Sequence, residues 1–111
     1  MNRNFFIAEV IQVTREKRVD GTVIRVFVQD GKQAIKFDCL RRGAHYHLDP
    51  DGRNRVYPID DPLPLQWAAY AIRENLRELL QSAGYVEAAA ELGAEALRSQ
   101  VEHVASLLQT E

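Results

Sequence analysis

The spacing of apolar positions changes once along the chain, and the change divides it in two. Up to residue 59 the apolar positions alternate or gather in short β-branched and aromatic blocks, whereas from residue 60 they recur at three- and four-residue steps. Residues 4–14, rich in Phe, Ile and Val, predict one strand. Phe5, Ile7, Glu9, Ile11 and Val13 fall on one side of it, and Phe6, Ala8 and Val10 on the other. The polar run 15–21, ending in Asp20-Gly21, predicts a loop. Residues 22–29 and 33–39 predict two further strands. Between them Asp30-Gly31 supplies the two positive-φ residues of a tight hairpin turn. That register sets Ile24 opposite Phe37, Val26 opposite Ile35, and Arg25 opposite Lys36. Asp38 follows on the same face as Lys36 and supplies a countercharge. Residues 44–48 and 55–59 predict a small hairpin that turns at Asp49-Pro50-Asp51-Gly52, with Pro58 keeping the return strand at an edge.

In the second half, Asp61 followed by Pro62 predicts a helix start, with Asp61 as the N-cap. Leu65, Ala69, Ile72, Leu76, Leu79 and Ala83 form its buried stripe, and Gly84 ends it as a left-handed cap. Glu74, Arg77, Glu78 and Gln81 form the wet face, with Trp67 and Tyr70 flanking the core. Ala90, Ala94, Leu97, Val101, Val104 and Leu108 predict a second helical region packed antiparallel on the first, which Gly93 splits into 86–92 and 94–108. The fold class expected is α+β: an antiparallel meander of three to four strands, then two or three helices packed on one sheet face. Residues 1–111 are expected to form a single domain, β-rich over 1–59 and helical over 60–111.

Composition narrows the function classes. At 46 % hydrophobic and 27 % charged the chain is ordinary for a globular protein, large enough to form a core without a structural metal. Residues 1–60 carry 11 of the 14 Lys and Arg, whereas the 16 Asp and Glu divide evenly, so the front is mildly basic and the back acidic. A single cysteine makes no internal disulfide, which points to a reducing, cytoplasmic setting. The run Phe5-Phe6-Ile7-Ala8 is too short for a signal peptide, and no stretch has the length of a membrane span, so no membrane partner is expected.

Reactive residue types concentrate between Asp38 and Gly52. If 44–48 is a strand, His45 and His47 leave the same face and can share a metal ion, zinc or another divalent cation. Cys39, Asp38 and Asp49 are near enough in sequence to complete such a site, and Tyr46 and Arg42 join His45, His47 and Asp38 as candidate ligand-binding residues. Strand parity places Cys39 on the Ile35 and Phe37 face, where it reads as a small buried hydrophobe. His103 reads as a packing or surface residue of the last helix.

The run Phe37-Asp38-Cys39, Gly43, His45-Tyr46-His47 and Asp49-Pro50 resembles a family of small, mainly bacterial proteins of unknown function. The resemblance implies a stand-alone small domain with a helical tail, and makes the two-histidine segment part of a family pattern. It implies no activity.

Three functional readings follow. The first is a cytoplasmic binding or interaction domain acting through residues 38–57 on a small ligand, metal or protein, with homodimer formation through edge strands. The second is a metal-dependent or thiol enzyme using Cys39, His45 and His47. The third is a weak nucleic-acid binder whose sheet face carries Arg25, Lys36, Arg41, Arg42, Arg53 and Arg55 around Phe27; the sequence pI of 5.9 argues against it.

Overall fold

A computed structural model describes residues 2–8, 10–93 and 97–110. Six strands form one antiparallel sheet in chain order: β1 (Asn2–Ile7), β2 (Ile11–Arg18), β3 (Gly21–Phe27), β4 (Gln33–Leu40), β5 (His45–Leu48) and β6 (Arg55–Pro58). Among the described residues three helices follow: α1 (Pro64–Ser82), α2 (Val86–Glu91) and α3 (Arg98–Leu108). The class is α+β as expected, but the strands among the described residues number six.

An additional pairing comes from the first third of the chain. The strand expected over 4–14 is a hairpin, in which Phe5 pairs with Val13 and Ile7 with Ile11. Ala8 takes φ 52 in its turn, and the Gln100 side chain accepts the Ala8 N–H at 2.9 Å. Glu9, placed by parity on the Phe5 side, lies outside the described residues. Nor is 15–21 a loop, because β2 continues to Arg18, opposite Gly21. Arg15 is buried, and its guanidinium donates to the carbonyls of Leu108 and Thr110 at the end of α3. A cation at a helix C-terminus meets carbonyls that have no partner within the helix, and so a charged residue can belong to an inward-facing strand position.

The predicted β3–β4 register is present: Ile24 faces Phe37, Arg25 faces Lys36 and Val26 faces Ile35. Beyond Val26 the register shifts, so that Phe27 faces Gln33. Asp30 and Gly31 both take positive φ, within a 3-10 turn over Gln29–Gly31. β5 and β6 form the expected hairpin around Asp49-Pro50-Asp51-Gly52.

The start of α1 differs from expectation. α1 begins at Pro64, not Pro62, with Leu63 as its N-cap. Pro64 disfavours the helical region for Leu63, which sits at φ -122 and ψ 75. Asp61 instead accepts the Leu63 N–H at 2.8 Å, organising the approach to the helix. At the other end Gly84 takes φ 96, with Tyr85 N–H bonded to Leu80 and Gly84 N–H to Gln81. This is the paired closure that a left-handed cap provides. Ala89 rather than Ala90 turns inward from α2, and Ala94 lies outside the described residues.

The core joins Ile7, Ile11, Val13, Ile24, Val26, Ile35 and Phe37 to Ile72, Leu76 and Leu80 of α1 and Val104 and Leu108 of α3. Tyr46 stacks between Phe37 and Tyr57, and Trp67 closes on Tyr46 at 5.3 Å. Trp67 thus flanks the core as expected, while Tyr70 stays exposed beneath the Arg73 guanidinium. No helix among the described residues is long and apolar enough to cross a membrane.

Candidate metal centre

Because alternate residues of a strand leave opposite faces, the partners of Asp38 are set by register. Asp38 of β4 faces His45 of β5, and Lys36 faces His47. These four side chains therefore share the sheet face opposite to Phe37, Cys39 and Tyr46. Asp38 is buried, at 6 % exposure. Its Oδ2 lies 3.0 Å from His47 Nε2 and 3.2 Å from His45 Nε2, while Lys36 Nζ is 3.6 Å from Oδ1. One donor atom from each of Asp38, His45 and His47 lies within 4.8 Å of the other two.

The outward nitrogens determine what the inward ones can do. His45 Nδ1 is 2.7 Å from the Gly43 carbonyl, and His47 Nδ1 is 2.7 Å from Asn54 Oδ1. A carbonyl oxygen only accepts, so each Nδ1 donates outwards and each Nε2 is left facing the Asp38 carboxylate. Two imidazole nitrogens and a carboxylate oxygen are thereby brought within 4.8 Å of one another. Such an arrangement is satisfied by protons on both rings or by a cation seated among them. Metal-bound histidines hold their second N–H on an oxygen acceptor in the same way. Bonds of about 2.0–2.2 Å to a metal separate neighbouring donors by roughly 3.0 Å in an octahedron and 3.4 Å in a tetrahedron. The two Asp38–imidazole distances lie in that range.

Other residues singled out from sequence stand elsewhere. Cys39 is buried on the opposite face, and burial first, with the Asp38 charge second, pushes its thiol up to about 12. It is neither a partner of the histidines nor available as a thiolate nucleophile. Asp49 adopts φ 55 in the β5–β6 turn, and its carboxylate is occupied by the Arg53 N–H at 3.1 Å and the Tyr85 hydroxyl at 3.0 Å. That makes it a turn residue rather than a ligand. Tyr46 belongs to the aromatic stack, and Arg42 is exposed in the loop that supplies the Gly43 carbonyl. His103 is exposed on α3.

Arg25 and Lys36 share a face, but the six basic residues do not all gather there. Arg25 pairs with Glu16 at 2.9 Å, Arg55 donates to Ser82 O at the end of α1, and Arg41, Arg42 and Arg53 lie in loops. Cavities of about 330 Å³ between Val28 and Val86 and about 440 Å³ beside Pro62 are lined by other residues than the two histidines. Sequence reasoning missed Asn54, whose only signal is its position just before the strand that returns beside His47.

The Cys39 thiol also gives a pH prediction. An unfolded thiol ionises near about 8.5, so above that pH the unfolded chain sheds a proton that the folded chain keeps until about 12. Stability therefore falls as pH rises through this window. Cys39→Ala is expected to make that alkaline decline less steep, as read from urea midpoints taken at about pH 8 and about pH 10. An unchanged slope would contradict the burial of the thiol.

Residues 5–108 match the model of a family described as a domain of unknown function (DUF7700). No curated protein and no solved structure matches the chain.

Proposed function

The chain belongs to this family of domains of unknown function, and for it we propose a binding module whose working centre is a divalent-metal site formed by Asp38, His45 and His47. The observation that carries the proposal is the pair of Nδ1 contacts, to Gly43 O and Asn54 Oδ1, which leave both Nε2 atoms facing one oxygen of a buried carboxylate. Two imidazoles and one carboxylate suit zinc or iron(II) and leave coordination positions open. Because the donors must be deprotonated, protons and metal compete for the same lone pairs, and binding weakens in acid.

Metal analysis of the full chain, purified without a histidine tag and reloaded with zinc, tests this. One equivalent retained by the parent and lost in the His45→Ala/His47→Ala double variant supports the site. A parent that retains no metal after reloading refutes it. Asn54→Ala removes only the support behind His47 and is expected to weaken binding about 10- to 100-fold, measured by chelator competition. Unchanged affinity there would mean that the Asn54 contact does not orient the ring.

A further inference from the structure

We infer that the centre, once it holds its cation, takes a small oxyanion as a further ligand, with one anion oxygen on the metal and a second on the Lys36 ammonium. This rests on the metal reading above. Its ground is the charge and spare donor capacity around the three ligands.

Lys36 Nζ carries three N–H donors. Among the described residues its one partner is Asp38 Oδ1 at 3.6 Å, too long for a good hydrogen bond. The side chain is 25 % exposed, so the ammonium is held beside the centre while retaining free donors. Across the face, Glu16 is engaged by Arg18 at 3.1 Å and by Arg25 at 2.9 Å. Arg18, Arg25 and Lys36 therefore stand against two carboxylates, Glu16 and Asp38, and a divalent cation would raise the excess of positive charge. Beneath them Val23 is fully buried although it does not belong to the main core, so the polar groups lie over an apolar floor that limits screening. His45 and His47 keep 31 % and 17 % of their side-chain surface, which leaves the outer coordination positions open to solutes. A carboxylate or a phosphate has two oxygens on one atom and can bridge the metal and the ammonium.

The experiment uses the cobalt(II)-loaded full chain, titrated separately with acetate and with inorganic phosphate while the cobalt absorption bands are followed. A saturable change with acetate alone identifies a carboxylate ligand, one with phosphate alone identifies a phosphate ligand, and a change with both identifies a general oxyanion site. Lys36→Met is expected to weaken the responding anion roughly 10- to 100-fold. The same substitution is expected to tighten cobalt itself in the absence of anion, because a like charge has been removed. Lys36→Arg should keep the anion response. Cobalt bound one to one with no response to either anion overturns this inference and leaves the metal reading intact. Equal anion affinity in the parent and Lys36→Met also overturns it, and failure to bind cobalt removes both.

Discussion

Asp38→Asn is expected to reduce zinc affinity by more than the roughly 10- to 100-fold that loss of a supporting residue costs, while leaving the sheet assembled. Asp38 is the only charged ligand in the set, and both imidazoles meet at its Oδ2. Removing its charge leaves Lys36, 3.6 Å from Oδ1, as an uncompensated cation at the mouth of the site. The fold should tolerate the change because Asn has the same shape, and its amide N–H can donate to the His47 Nε2 lone pair that the carboxylate formerly faced. Chelator competition measures the affinity, and a thermal melt of the metal-free protein measures the fold. Wild-type affinity in Asp38→Asn would sink the proposed ligand set. A stable fold with binding abolished is the expected result.

The second large effect concerns the backbone. Gly21→Ala is expected to cost about 3 kcal/mol or more. Gly21 opens β3 at φ 153, a region that side-chain-bearing residues rarely enter. A Cβ built there would lie 2.3 Å from Cys39 O and 2.8 Å from Leu40 Cα. Both atoms belong to the backbone of β4, so neither can rotate away. The strand itself would have to move, together with Asp38 one residue earlier. The Arg41 N–H bond to Asp20 O, at 2.9 Å, ties the same corner and would be strained with it. Against a total stability of roughly 5–15 kcal/mol the loss is a large fraction. Urea unfolding checks it, with Gly31→Ala as the comparison. Gly31 has φ 71 but nothing within 4 Å of its Cβ position, so only the conformational cost of about 1–2 kcal/mol applies. Equal losses for the two variants would show that the Gly21 clash is relieved cheaply.

Both effects trace back to how much of the sheet can be seen in the chain. The β3–β4 register follows from Asp30-Gly31 and two alternating flanks, and it places Lys36 and Asp38 on one face as expected. The β1–β2 hairpin does not show in the same way. Ile7 and Ile11 are four residues apart, an even separation, so they share a face whether the chain runs straight or folds back through a three-residue turn. Ala8, at φ 52, lacks the glycine or asparagine that would mark that turn. Arg15 has the charge of a loop residue and became a buried strand residue because the end of α3, over ninety residues later, offers carbonyls to its guanidinium.

Local chemistry in the sequence determined the α+β class, the β5–β6 hairpin, the glycine cap of α1 and its buried positions Ala69, Ile72, Leu76 and Ala83, and the shared face of His45 and His47. These depend on periodicity and on φ preferences, which act over a few residues. Leu80 rather than Leu79 completes the buried stripe of α1. Tertiary structure decided which of the reactive residues meet. Pairing of β4 with β5 brought Asp38 under both imidazoles, while the turn and Tyr85 claimed Asp49. The reason is that donor geometry depends on which strand lies alongside and on what occupies each second nitrogen. For His47 that partner is Asn54, placed there only when β6 returns beside β5.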